Sequence, residues 1–170
     1  MSKRHLKKYL EDLSKPELED QILELHDRLK EVKQFYAFVF NPNEEKMMEE
    51  AKMKISLEYF PVGKRKKAKK RRSVAQKQIK EFIKLGVDPL RIADLMLYNL
   101  EVAIAYNEES PMKQAAFYRS MLKSFQDMVK FVDDNALKDH FMTRIEKIVD
   151  TVYLQQWINK SAFEDVMSKQ

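Results

Sequence analysis

Between Leu90 and Tyr106 the chain reads LRIADLMLYNLEVAIAY, its most apolar stretch. At about 100° per residue, Ile92, Ala93, Leu95, Met96, Leu97, Leu100, Val102, Ala103 and Ile104 point in nearly every direction around a helix. A helix apolar on most sides is one that other elements surround. The pattern therefore predicts a central helix at about 89–107, with Asp88 as its cap and Pro89 in its first turn. Its polar residues gather mostly on one stripe, Arg91, Asp94, Tyr98 and Glu101, at spacings of three and four.

The remaining patterns supply elements to cover that helix. Leu6, Tyr9, Leu10 and Leu13 make a short amphipathic helix near the start, expected to dock loosely. Ser14-Lys15-Pro16-Glu17 reads as a capping box that opens a second helix. Its seam, Leu18, Ile22, Leu25, Leu29 and Val32, steps alternately by four and three, with His26 beside it. QFYAFVF has the residue types of a strand, but nothing else in the sequence is strand-like enough to pair with it. Phe35 to Phe40 is thus expected to be the buried end of the second helix, stopped by Asn41-Pro42.

Asn43 is placed to cap the next helix, whose inner face is Met48, Ala51, Ile55 and Tyr59 and which Pro61 and Gly63 end. Ser73 is a candidate cap for a helix with Ala75, Ile79, Phe82 and Ile83 on one face and Gly86 just past its end. Ser110-Pro111 repeats the cap-plus-proline device and predicts a helix start, followed by the broad stripe of Tyr118, Met121, Leu122, Phe125, Met128, Val129 and Val132. After Asp133-Asp134-Asn135, a further helix carries Leu137, Phe141, Ile145, Ile148 and Val152 toward Trp157. A closing segment offers Phe163, Val166 and Met167 for docking. The expectation is all-α: an irregular array of about six antiparallel helices, bundled or short and solenoid-like, forming a single domain over 1–170.

Composition agrees. The 170 residues include 2 glycines and 5 prolines, too few for the frequent turns of an all-β protein. With 44% hydrophobic and 35% charged residues the chain is globular in type. There is no cysteine, which excludes a disulfide framework, thiolate metal ligands and a cysteine nucleophile. The start, MSKRHLKKYLED, has no signal-like apolar segment, and no run approaches the roughly 18 apolar residues of a membrane span. A cytoplasmic, non-membrane protein is expected.

Charge changes the picture more. Lys64, Arg65, Lys66, Lys67, Lys69, Lys70, Arg71 and Arg72 form one run, an exposed basic loop expected at about 61–72. Removing those eight charges from the formal net charge of +5 leaves −3 on the rest, so the basicity is local. Self-repulsion in such a run is relieved by an anionic partner, and nucleic acid adds the release of condensed counterions. No aromatic interleaves the run for base stacking, so contact with RNA or DNA would be through phosphates and not sequence-specific. An acidic protein would satisfy the same charges, and a merely solvated loop is the competing reading. A membrane surface fits less well, because no amphipathic helix rich in Trp or Leu flanks the run.

The stripe of Arg91, Asp94, Tyr98 and Glu101 is a candidate polar pocket. Its two carboxylates stand seven residues, or roughly 10 Å, apart along a helix, far for one metal. His140 or Glu146 could add ligands, yet no Glu-x-x-His motif is present. The competing reading is a stabilising network that joins Arg91 to Asp94 and Tyr98 to a carboxylate. His5, His26 and His140 lack metal-binding spacing, Gly63 and Gly86 build no phosphate loop, and there is no G-x-S-x-G elbow. No catalytic residue, cofactor or metal site is expected. The leading expectation is a non-enzymatic binding or adaptor protein; the alternatives are a small-ligand or metal-binding helical protein and a protein–protein interaction scaffold.

LSKPELEDQILELHDRLKEVKQFY, FNPNEEKM, EYFP before a basic loop, and IADLMLYNLEV with FYRSM together resemble a family of small uncharacterised bacterial proteins known only as a domain of unknown function. The resemblance runs from about Leu13 to about Val152. It implies an all-helical fold and a bacterial cytoplasm, and carries no activity, ligand or catalytic residue.

Overall fold

The structure is a computed structural model that describes residues 2–63 and 67–168. Among the described residues there are nine helices and no strand, and they fall into two compact units, residues 1–43 and 44–170.

The first unit holds α1 (Lys3–Glu11), α2 (Lys15–Arg28) and α3 (Lys30–Phe40). Glu17 reaches back to Ser14, accepting from its N–H at 2.8 Å and its hydroxyl at 2.6 Å, which fixes the start of α2. Phe35 to Phe40 is helical, as the lack of a pairing strand requires. It is not the buried end of one long helix, however. Leu29 is extended (φ −113°, ψ 117°) and divides α2 from α3, though no proline or glycine stands there. The break brings the His26 and Tyr36 rings to 6.4 Å, and Tyr36 stacks on Phe40 at 6.0 Å. Even so, none of the residues in these three helices is buried, and Phe40 is 74% exposed.

The second unit holds α4 (Glu44–Tyr59), α5 (Arg72–Leu85), α6 (Pro89–Glu109), α7 (Ala115–Asp134), α8 (Lys138–Leu154) and α9 (Lys160–Ser168). Asp88 caps α6, its carboxylate accepting from Leu90 N–H at 2.9 Å with Pro89 in the first turn. All nine apolar side chains named above for this helix are buried, and α6 packs against α4, α5, α7 and α8. Met48, Ala51, Ile55 and Tyr59 are the buried face of α4, and Phe141, Ile145, Ile148 and Val152 that of α8. On α5 the burial reaches Ala75 and Phe82, with Gln78 in place of the exposed Ile83.

Three helix ends explain where the boundaries fall. Gly86 takes the left-handed conformation (φ 74°) and Val87 N–H donates back to Phe82 O at 3.1 Å. Ala136 and Gln156 adopt positive φ without being glycine, and Leu137 and Trp157 make the equivalent bonds to Val132 and Val152. The second of these ends α8 at Leu154 and folds Trp157 into the core against Phe117, Tyr118 and Phe163, so the helix does not run on to Trp157. Ser110-Pro111 does not start α7 either. Buried Asn107 accepts from Met112 N–H at 2.9 Å and Tyr118 donates its hydroxyl to Met112 O at 2.6 Å, which holds the segment as a turn and delays the helix to Ala115.

Leu97 and Leu100 are 0% and 1% exposed. Truncating either to alanine is expected to lower unfolding free energy by about 2–5 kcal/mol, as for other core leucines. Urea denaturation of both variants checks this; midpoints equal to wild type would refute it.

Candidate functional site

The polar stripe of α6 meets side chains from two neighbouring helices. Arg144 of α8 donates to Glu101 through Nε and Nη2, both at 2.9 Å, and to Asp94 through Nη1 at 2.6 Å. Lys52 of α4 takes the other Asp94 oxygen at 2.6 Å, and its ammonium lies 5.2 Å from the centre of the Tyr98 ring. Arg91 pairs with Glu44 at 3.0 Å and not with Asp94, and Tyr98 faces a cation instead of a carboxylate. The two pairings expected within the stripe, Arg91 with Asp94 and Tyr98 with a carboxylate, are thus not made; a different network forms, with partners drawn from other helices. Arg144 does what a shared metal would otherwise have to do, bridging two carboxylates that stand seven residues apart. His140 and Glu146 are exposed, and among the described residues no group of three or more His, Asp or Glu side chains converges on a metal position.

The electrostatics follow from this geometry. Burial raises the Asp94 carboxyl, but the hydrogen bonds and charges of Lys52 and Arg144 outweigh it and hold the group below the ordinary aspartate value. Hydrogen bonding to Glu101 is the largest influence on Arg144, and with Asp94 it raises the guanidinium further. A groove of about 620 Å³ opens beside the network, lined by Glu45, Glu49, Lys52, Arg91, Asp94 and Arg144 among others.

Lys52 was legible as an anomaly, since it lies four residues after Met48 and three before Ile55, inside the apolar stripe of α4. A lysine at such a position needs an anionic partner across the interface. Arg144, next to Ile145 and three after Phe141, borders the α8 stripe in the same way.

The basic run divides into an anchored end and an open part. Lys64, Arg65 and Lys66 lie outside the described residues. Lys67 and Lys69 are exposed beside a groove of about 350 Å³ that Leu57, Glu58, Pro61 and Val62 also line. Lys70 is half-buried in the left-handed region (φ 55°), its N–H donating to Glu58 O at 2.9 Å and its ammonium 5.3 Å from the Tyr106 ring centre. Arg71 grips the Glu58 carboxylate with Nε at 3.0 Å and Nη2 at 2.7 Å, and its backbone N–H adds a third bond at 3.1 Å. Those bonds pull the buried Glu58 below the ordinary glutamate value. Next to it, burial and then the Glu58 charge push the Tyr59 phenol up to about 12.

Arg72 belongs to α5 and not to a loop. It donates to Ser124 Oγ at 2.8 Å and Asp127 at 3.0 Å, and Arg71 occupies the cap position expected of Ser73. A third groove, about 290 Å³, has Ile79, Ile83, Met96 and Phe131 on its walls.

Fold and site define an all-helical protein in which an ion-pair network joins α4, α6 and α8 and a basic segment is pinned at one end to α4. Over residues 1–170 the chain matches a family of unknown function, DUF6155, and it belongs to that family. The resemblance traced above from Leu13 to Val152 therefore extends over the whole sequence. No curated protein and no solved structure matches the chain. Among the described residues no helix is long and apolar enough to cross a membrane.

The folded-state pKa of Asp94 lies below its unfolded value of about 3.9. Its contribution to stability is therefore complete above that value and lost as pH falls through the lower folded one. Asp94→Asn is expected to be less stable than wild type at neutral pH, with the gap closing as pH drops below about 4. Removing the bridging cation with Arg144→Ala is expected to cost about 1–3 kcal/mol, because half-buried Glu101 loses its partner and Asp94 keeps only Lys52. Urea unfolding of both variants between neutral and acidic pH measures these effects; a pH-independent gap for Asp94→Asn would refute the linkage.

Proposed function

We propose that this is a non-enzymatic binding protein whose basic segment, residues 64–72, contacts the phosphates of nucleic acid without reading its sequence. One observation carries the reading: the Arg71–Glu58 clamp fixes the end of the segment to α4 while Lys67 and Lys69 remain exposed. A charge cluster tethered in this way gives up less freedom on binding than a free chain does. The spare charge then attracts a polyanion, whose counterions are released. RNA and DNA satisfy the same phosphate chemistry. We take the protein to act in the cytoplasm, the compartment that a chain without cysteine suits.

The two arginines at the end of the run have a different task from the lysines. Arg71 and Arg72 are committed to Glu58, Ser124 and Asp127, so they hold the segment and contribute less free charge. The ligand-pocket alternative draws less support, because Asp94 and Glu101 are already satisfied by Arg144 and Lys52.

Neutralising Lys64, Arg65, Lys67 and Lys69 to glutamine is expected to weaken binding to unrelated sequences about equally. The slope of log affinity against log salt should become shallower by about 0.9 for each duplex phosphate no longer engaged, or about 0.7 for single strands. Stability should stay within about 0.5 kcal/mol of wild type. Arg71→Gln, by contrast, should destabilise α5 and its junction with α4. Fluorescence anisotropy with RNA and DNA oligonucleotides across a salt series is the measurement, and no binding by the wild type at moderate salt would overturn the proposal.

A further inference from the structure

The three helices of residues 1–43 carry a problem that their own unit does not solve. None of their residues is buried, yet Leu6, Tyr9, Ile22, Leu25, Leu29 and Val39 are all exposed large apolar side chains. A helical unit of about 40 residues needs a disulfide, a metal or association to be stable. With no cysteine in the chain and no metal-binding cluster among the described residues, packing against a further surface is the device left.

Charge identifies the associate. α1 carries Lys3, Arg4, Lys7 and Lys8 against Glu11, and α2 carries Glu17, Glu19, Asp20, Glu24 and Asp27 against Lys15 and Arg28. Four positive and one negative charge give α1 a net +3, and two positive and five negative give α2 a net −3. Within one copy that complementarity is unused. The ion pairs of these helices, Lys7–Glu11, Lys15–Glu19 and Arg28–Glu24, each stay within a single helix, and α1 meets α2 through a hydrogen bond from Gln21 to the Tyr9 hydroxyl at 2.6 Å. Among the described residues no ion pair joins α1 to α2.

We propose that residues 1–43 form a homodimer interface in which α1 of each copy lies against α2 of the other. A two-fold arrangement uses the same patch twice, so the +3 helix meets the −3 helix at two symmetric places. The apolar stripe of α2, Leu18, Ile22 and Leu25, steps by four and three, the spacing with which one helix seam packs on another. Lys3 and Lys7 stand on one side of the apolar stripe of α1 and Glu19 on one side of that of α2, while Glu24 lies farther round α2. These flanking charges set the pairing, as charges beside a helical seam do. The inference is independent of the nucleic-acid reading, since it uses no residue of the basic segment.

Size-exclusion chromatography with light scattering on the full chain should give about twice 20.3 kDa at micromolar concentration. Lys3→Glu with Lys7→Glu sets two acidic helices against each other in a homodimer, and should shift the mass to 20.3 kDa. Glu19→Lys with Glu24→Lys does the same with two basic helices. Mixing the two variants restores opposite charges where the helices meet, and the dimer mass should return. That recovery cannot come from variants that have failed to fold, and circular dichroism checks that each keeps its helix content. A wild type that stays at 20.3 kDa overturns the proposal, whether its apolar stripe is covered by another protein or by its own chain. Two monomeric variants that remain monomeric when mixed overturn the pairing of α1 with α2.

Discussion

A helix as apolar as α6 has to be covered from several sides, and the helices that cover it must also neutralise the charges it carries. Asp94 and Glu101 stand at the edge of a buried surface, where an unpaired carboxylate loses solvation it cannot regain. Arg144 from α8 and Lys52 from α4 meet that demand together, and in doing so fix both helices against α6. The pairing is specific in a way that apolar packing is not, because a planar guanidinium with both carboxylates in reach tolerates little sliding of α8 along α6. Registration of three helices thus rests on groups that occupy a small part of the interface.

The same logic operates where α5 begins. The buried Glu58 needs a cation, and Arg71 supplies it with two side-chain bonds and one from its backbone. Arg72 then reaches across to Ser124 and Asp127 of α7. Positive charge in this stretch therefore serves two ends. At Arg71 and Arg72 it satisfies carboxylates inside the unit, and at Lys67 and Lys69 it stays in water. A run that looks uniform as a sequence is divided by what lies next to each residue once the chain is folded.

That division marks how far the sequence could be read. Stripes of one helix were legible: every apolar position named on α6 is buried, as are Met48, Ala51, Ile55 and Tyr59, and the cap at Asp88-Pro89 and the stop at Gly86 are where local chemistry puts them. Features that depend on a second helix were not. Partners of Asp94 lie 42 and 50 residues away, so neighbours on the same stripe, such as Arg91, were the only ones that spacing could suggest. Ser110-Pro111 has the form of a helix start, but Asn107 and Tyr118 capture Met112 and hold a turn instead. Leu29 breaks a helix with no breaker residue, and Ala136 and Gln156 take a conformation that favours glycine. At Ser110-Pro111 and at Gln156 the local preference is weaker than the packing and hydrogen bonding that override it.

The two units show the consequence of having or lacking partners on other helices. In residues 44–170 the charged groups that flank apolar stripes find such partners, and the stripes themselves are buried. In residues 1–43 the pattern of residues is the same, apolar stripes flanked by opposite charges, but the ion pairs Lys7–Glu11, Lys15–Glu19 and Arg28–Glu24 are confined to single helices and no residue of α1, α2 or α3 is buried. Exposed pairs four residues apart contribute only about 0.3–0.5 kcal/mol each, too little to hold a unit of this size. A net +3 on α1 and a net −3 on α2 make a larger attraction possible, and a single copy leaves it unused between the two helices. Flanking charges of opposite sign acquire stabilising value when their stripes are brought together and water is excluded, and for this unit a two-fold partner does both at once.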